Sequence, residues 1–157
     1  MKLLFNIIIV IEKFNYWYGR AVVKSIISKL GKCGESDISY PITIKTPKNI
    51  FINDGVKIGP NCLFGAFSNI YIGNNSRISS NCIIETASLN IAKKDYGVHS
   101  GKEIIIGDNV WIGTGCIILG GTIIGDNTFV SAGSIISGRI PENSIYKNND
   151  YKIRNYE

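Results

Sequence analysis

The chain has 157 residues, 45% of them hydrophobic, and 17 Lys+Arg against 12 Asp+Glu give it a net charge of +5. That length fits one domain, and the apolar content is too high for a disordered chain. No block of basic residues is interleaved with aromatics, which argues against nucleic acid as a partner, and the modest positive charge reads as solubility.

Residues 1–37 open with MKLLFNIIIV. The apolar run Leu3–Ile11 holds nine residues, short of the roughly 20 that a spanning helix needs. Glu12, Lys13, Phe14 and Asn15 follow it, in place of the small residues of a signal cleavage site. Tyr16, Trp17 and Tyr18 form an aromatic cluster. Val23, Ile26, Ile27 and Leu30 then recur at helical spacing, with Lys24 and Lys29 off that face and Gly31 as a helix stop. The pattern predicts two short amphipathic helices that cap the following domain, because a solenoid must cover its terminal core. A weak interfacial membrane anchor is the other reading of the same segment.

From Ile106 the chain reads in sixes: IGDNVW, IGTGCI, ILGGTI, IGDNTF, VSAGSI, ending on Ile136. A helix would space its apolar residues by three and four, and a plain strand by two. A strict six is the mark of a parallel β-helix, each repeat being one short strand and a turn. Gly follows the aliphatic residue at 107, 113 and 125, where it is expected to supply positive φ for a tight turn. The fifth place holds Val110, Cys116, Thr122, Thr128 or Ser134, small enough to let the corner close.

Read backwards, the frame takes in Ile38 and Ile44, then Ile52, Ile58 and Phe64, then Ile72, Ile78 and Ile84. Spacing is six within each triplet; between triplets it is 8, 8, 22 and 6. The extra residues therefore enter at one corner of a three-sided coil. The expectation is an all-β solenoid of triangular coils with one decorated edge over residues 38–141. The helical segment 1–37 precedes it and a tail, 142–157, follows.

Cys62, Cys82 and Cys116 are the fifth residue of the middle strand in three successive coils. Stacked coils are ~4.8 Å apart, so the thiols should form one interior column, continued by Ser134. They read as small buried fillers. With a single His in the chain, no convergent metal site is expected, and no disulfide framework is evident, which fits a reducing compartment.

Ser88 to Glu103, SLNIAKKDYGVHSGKE, is the sixteen-residue insertion and carries His99, the only histidine. Long loops without their own core are often functional. An imidazole is suited to take a proton near neutral pH. Acyl transfer to a hydroxyl needs such a base, because the hydroxyl is a poor nucleophile until its proton leaves.

The segments EIIIGDNVWIGTGCIILGGTIIGDN and SAGSIISGRIPENSI resemble the IGDNVWIG and AGSVVTKDIP segments of the hexapeptide-repeat acyltransferases. The likeness is closest to the galactoside, maltose and polysaccharide-sugar O-acetyltransferases and covers about Thr46 to Pro141. It implies left-handed coils, a homotrimer with sites between adjacent subunits, and acetyl-CoA as co-substrate. It implies a sugar hydroxyl as acceptor, in cell-surface polysaccharide biosynthesis; the alternative readings are N-acetylation of an amino sugar and a non-catalytic scaffold or oligomerisation module. The family takes its base from a loop inserted at this corner, which points to His99. In the galactoside and maltose enzymes that His opens the loop, where this chain has Ser88; His99 sits late, as in a sub-group of sugar O-acetyltransferases. The Asp-His pair of serine acetyltransferases falls at Gly65 and Ala66, which argues against serine as acceptor.

Glu85 and Asp95 are the candidates to orient the imidazole or bind substrate. The resemblance places Thr114, Gly120, Ala132 and Ser137 along the coil edge, offering backbone groups to the pantetheine arm. Ser137-Gly138-Arg139 replaces the family's Thr-Lys-Asp, and Arg139 is the candidate to supply the lost charge to a CoA phosphate. Trp111 joins the cofactor-binding set at the subunit contact. The ending KNNDYKIRNYE lacks the family's GNPAK-like segment. The implied location is the cytoplasm.

Overall fold

The computed structural model describes residues 2–89, 99–147 and 150–153, with side chains from residue 7 onward. Strands of two to four residues wind into coils, and the three sides of the coils stack into three sheets. The first sheet joins Lys32–Cys33, Ile50–Ile52, Ile70–Ile72, Ile104–Ile106, Ile123–Ile124 and Arg139–Ile140. The second joins Asp37–Ile38, Lys57–Ile58, Arg77–Ile78, Trp111–Ile112, Phe129–Val130 and Ser144–Lys147, all parallel, and ends on the antiparallel strand Asp150–Ile153. The third joins Ile42–Lys45, Cys62–Gly65, Ile83–Glu85, Ile117–Leu119 and Ile135–Ile136.

The six-residue frame is the register. Ile52 pairs with Ile72, Ile72 with Ile106, and Ile106 with Ile124. Ile58, Ile78, Ile112 and Val130 stack on the second side, and Phe64, Ile84, Ile118 and Ile136 on the third. None of these twelve is more than 2% exposed. Burying one isoleucine side chain contributes roughly 1.5–3 kcal/mol, so three such columns supply the main driving force for winding. At the far end Tyr146 takes the second-side position above Val130 and its hydroxyl donates to the Ile135 carbonyl at 3.1 Å.

The corners correct the expectation about glycine. Positive φ falls three residues after the aliphatic position, at Asn109 (54°), Gly115 (71°), Asn127 (55°) and Gly133 (71°). Gly107, Gly113 and Gly125 are absent from that set and serve another purpose. A Cβ on Gly107 would collide with the carboxylate of Asp126, and one on Gly113 or Gly125 with the backbone of the next coil. In each GDN unit the Asp carboxylate reaches down: Asp108 Oδ1 accepts from Asn74 N at 2.6 Å, and Asp126 Oδ1 from Asp108 N at 2.8 Å. The asparagines form a ladder, Asn109 Nδ2 to Asn127 Oδ1 at 3.2 Å and Asn127 Nδ2 to Asn143 Oδ1 at 3.1 Å. The fifth-place residues hydrogen-bond across coils as well, Ser76 Oγ to Gly107 O at 2.7 Å and Thr128 Oγ1 to Pro141 O at 3.1 Å.

Cys62, Cys82 and Cys116 form the interior column. Each thiol donates to a carbonyl of the next coil at 3.2 Å, to Ser79, Gly113 and Ser131 respectively. All three are at most 1% exposed and free of disulfides. Hydrogen bonding within the column sets their acidity. The neighbouring Cys82 thiol draws Cys62 down to about 7 against its burial. Cys82 acts on Cys116 in the other direction and, with burial acting the same way, pushes it far above the ordinary thiol value.

The N-terminal region is one helix, Lys2–Ile27, in place of the two expected. Nothing between Ile11 and Val23 breaks it: the segment contains no proline, and its one glycine, Gly19, is used for packing. Gly19 is buried, and a Cβ there would meet the Tyr40 ring at 3.0 Å. Among the described residues the helix meets the coils along its C-terminal half, with Tyr18 edge-on to Tyr40 at 6.0 Å, Gly19 against the same ring, and Val23, Ile26 and Ile27 packed on the core.

Every insertion sits between the third side and the first. The short 3-10 turn Pro47–Asn49, residues 66–69, and the described arms of the long insertion, residues 86–89 and 99–103, decorate that edge, which at residues 120–122 is a plain turn.

Candidate active site

His99 stands where the long insertion returns to the coil. The arms of the insertion pair as an antiparallel hairpin, Ala87–Leu89 with His99–Gly101. Leu89 opposes His99 and Ser88 opposes Ser100. Directly opposed side chains share a face. One face of the hairpin therefore carries Leu89 and His99, both exposed. The other carries two hydroxyls, with Ser88 Oγ and Ser100 Oγ 2.9 Å apart.

The coil below holds the hairpin root. Thr86 Oγ1 donates to the Gly65 carbonyl at 2.9 Å and accepts from Ser68 N at 2.9 Å. Gly101 passes so close to this corner that a Cβ would lie 2.5 Å from Ser68 Oγ and 2.7 Å from Phe67 Cδ1. The Phe67 ring centre is 6.2 Å from the imidazole, with the planes 41° apart. Glu85 sits at the same root. Its Oε1 accepts from Ala87 N at 3.0 Å, and its carboxylate fills the space beside Gly65. Asp95 lies outside the described residues.

The cofactor candidates divide between two edges. Gly120 follows the third side directly above the hairpin root, where a Cβ would come within 2.6 Å of the Thr86 carbonyl oxygen. Ser137 is exposed on this same edge one coil further on, and Arg139 is exposed at the start of the first side, bordering it. Lys102 crosses Gly121 there, its Cδ 3.1 Å from where a Cβ would be. Thr114 and Ala132 occupy the neighbouring edge, between the second and third sides, and both are exposed. The Thr114 carbonyl accepts from Gly133 N at 2.8 Å. Trp111 lies on the second side, edge-on to Phe129 at 5.4 Å and under the Arg77 guanidinium at 5.6 Å. Its Nε1 donates to Ser79 Oγ at 3.2 Å.

So His99, Gly120, Ser137 and Arg139 share one edge, and Thr114 and Ala132 share another. The third side separates them and exposes Ile83, Leu119 and Ile135. A depression lined by Thr43, Leu63 and Ile83 lies on that side, and a second is lined by Asp37, Asp54 and Lys57. Neither includes a hairpin residue, so concavity on the single chain does not mark the chemistry. Among the described residues no cluster of three metal-ligating side chains occurs.

Residues 103–138 match the family model for the bacterial transferase hexapeptide (six repeats), and residues 55–86 match that for the hexapeptide repeat of succinyl-transferase. A maltose O-acetyltransferase from Clostridium difficile 630 is 30% identical and superposes with a TM-score of 0.75, over 82% of this chain and 71% of that one. The chain belongs to the hexapeptide-repeat acyltransferases. Within that family, the galactoside O-acetyltransferase of Lactococcus lactis is 31% identical over 100 residues, 62% of this chain and 48% of that protein. A hexapeptide-repeat acetyltransferase from Vibrio cholerae, 24% identical with a TM-score of 0.79, shares the fold over 87% of this chain and 80% of its own. This hexapeptide-repeat chain spans between 48% and 65% of the length of the curated relatives it matches.

Sequence reasoning passed over Phe67, Thr86 and Lys102. Phe67 is the one with a readable signal. It is an aromatic residue off the six-residue frame, at the corner where the frame gains two residues.

Proposed function

We propose that this chain moves an acetyl group from acetyl-CoA to a sugar hydroxyl, in the cytoplasm, on a precursor of a cell-surface polysaccharide. The observation that carries the reading is the placement of the only histidine. His99 is exposed on a hairpin anchored to the edge that also bears Gly120, Ser137 and Arg139. The 30% identity to a maltose O-acetyltransferase supports the acceptor class. The edge suits the co-substrate. A narrow, amide-bearing arm needs backbone groups beside small side chains, and Gly120, Gly121, Ser137 and Gly138 supply them. Arg139 and Lys102 offer cations to its phosphates.

In this reading the His99 imidazole takes the proton of the acceptor hydroxyl as the oxygen attacks the thioester carbonyl. The new C–O bond forms, the C–S bond breaks, and the proton passes to the departing thiolate. The products are an acetyl ester and free CoA. Glu85 serves as a positioning residue for the hairpin root, through Ala87 N. The test is CoA release by the purified protein across hydroxyl and amino sugars, with product masses. Release with hydroxyl sugars is expected. Reaction confined to amino sugars would turn the reading to N-acetylation, and no release with any sugar would favour a scaffold.

The same reading makes the chain a homotrimer with sites between subunits. Its support is the division of the cofactor candidates between two edges that one prism cannot bring together. A threefold assembly sets one subunit's edge against the next subunit's apolar third side.

The N-terminal helix is read as resting on an anionic membrane surface. Among the described residues no helix is long and apolar enough to cross a membrane. Ile7, Val10, Ile11, Phe14, Trp17 and Tyr18 share one face and are each at least half exposed. Lys13, Arg20 and Lys24 flank that face as a basic ridge. An apolar face with aromatic residues and flanking cations is the composition of an interfacial helix.

A further inference from the structure

A single exposed phenylalanine is ordinary on a protein surface. Phe67 differs in how firmly its backbone is held. From the coil below, Asn49 Nδ2 donates to the Ala66 carbonyl at 2.9 Å and to the Phe67 carbonyl at 3.1 Å. From the coil above, Thr86 Oγ1 takes the Ser68 N–H at 2.9 Å. The returning arm of the hairpin is glycine where it passes the ring, because a Cβ on Gly101 would lie 2.7 Å from Phe67 Cδ1. Yet the residue remains 54% exposed. It stands 6.2 Å from the imidazole of His99, and the exposed Leu89 shares the hairpin face with that imidazole.

We propose that Phe67 is the platform on which the acceptor's pyranose ring stacks, fixing which hydroxyl reaches His99. This rests on the acetyl-transfer reading above and adds the element that recognises the sugar. A pyranose has one face of C–H groups and a rim of hydroxyls. Laid on the Phe67 ring, the C–H face buries apolar surface that water otherwise covers. The rim then points sideways, toward the imidazole. A ring separation of 6.2 Å leaves room for a hydroxyl oxygen within about 3 Å of an imidazole nitrogen, the reach a general base needs. The hydroxyls of Ser88 and Ser100 are on the opposite face of the hairpin and take no part in this seat.

The test compares Phe67→Leu and Phe67→Trp with the wild type, using methyl glucoside and methyl galactoside pyranosides as acceptors and acetyl-CoA as donor. The leucine variant keeps an apolar side chain and loses the flat face. Its acceptor KM should rise about tenfold, the scale of a lost aromatic contact with its buried area. Its acetyl-CoA KM and the shape of its pH profile should stay as in the wild type. The tryptophan variant should hold the acceptor KM near the wild-type value. An unchanged acceptor KM in Phe67→Leu would overturn the proposal while leaving sugar acetylation intact. A fall in kcat with a displaced pH limb would assign the ring to holding His99, and a change of oligomeric state would assign it to a subunit contact; either overturns stacking. Acetyl transfer by the wild type only to acceptors without a pyranose ring would overturn the sugar reading and this proposal together.

Discussion

Gly107 shows how a single missing carbon sets the distance between coils. The Asp126 carboxylate occupies the place where its Cβ would be, and that carboxylate accepts the Asp108 N–H at 2.8 Å. Gly107→Ala must push the two coils apart or break this bond. It should cost about 1–3 kcal/mol, the range for an overpacked core, read from the midpoint of a urea titration. Ile118 makes the opposite case. It is fully buried between Ile84 and Ile136 in register. Ile118→Ala should cost about 2–5 kcal/mol through lost burial and a cavity, and a denaturation curve overlaying the wild type would contradict the stacked column. The thiols separate acidity from access. Cys62 is drawn down to about 7, which by itself favours reaction above that pH. It is also only 1% exposed, and a reagent must reach the sulfur before ionisation matters. Access should win, so Cys62, Cys82 and Cys116 should label with a thiol reagent only after denaturant is added, at pH 8 as at pH 6. Fast native labelling of Cys62 alone would show that the coil opens there.

At the scale of elements, the hairpin and the helix differ in how they are held. The hairpin is tied at its root by Thr86, Glu85 and Gly101, so substituting His99 should leave the coils intact. With His99 as the base, His99→Ala should lower kcat by about 10²–10⁴-fold and leave acetyl-CoA affinity near the wild-type value. It should also remove the rise of rate with pH that a titrating base imposes. A loss confined to the acceptor KM, with that limb retained, would make His99 a substrate ligand. The helix is held along its C-terminal half, from Tyr18 to Ile27. If its free face rests on lipid, the protein should float with vesicles of phosphatidylcholine and phosphatidylglycerol and should not with phosphatidylcholine alone, and Phe14→Glu/Trp17→Glu should abolish flotation. Retained flotation in the double variant would remove the helix from any membrane contact. Both elements mark the limit of what pattern reveals. The helix reads as two pieces because an apolar run, an aromatic cluster and a second apolar stripe look separate, yet none contains a breaker. The hairpin is unreadable because its pairing of Leu89 with His99 spans residues that carry no period. Phe67 is missed because what holds it, Asn49 on its carbonyl and Gly101 beside its ring, lies about a coil or more away along the chain.

At the scale of the whole molecule, the winding itself is legible. An inward aliphatic residue every six positions fixes three columns, and the changes in spacing fix the edge where insertions enter. That edge is where the solenoid can add residues without disturbing a column, since every inward position before and after it keeps its partner. What a single chain's period does not contain is the relation between two edges. His99 and Arg139 lie on one and Thr114 and Ala132 on the next. The proposed trimer joins them across a subunit boundary, and a mixing experiment isolates that claim. His99→Ala disables the first edge, and Ala132→Trp blocks the second with a bulky ring at an exposed corner that the folded chain can accommodate. Each variant alone should be inactive. Co-expressed in equal amounts, they should form mixed assemblies in which an intact first edge of one subunit meets an intact second edge of its neighbour. For random assembly that meeting happens at about one site in four, so about a quarter of the wild-type activity should return. If each site is built within one chain, every site carries one lesion and the mixture should stay as inactive as its parents.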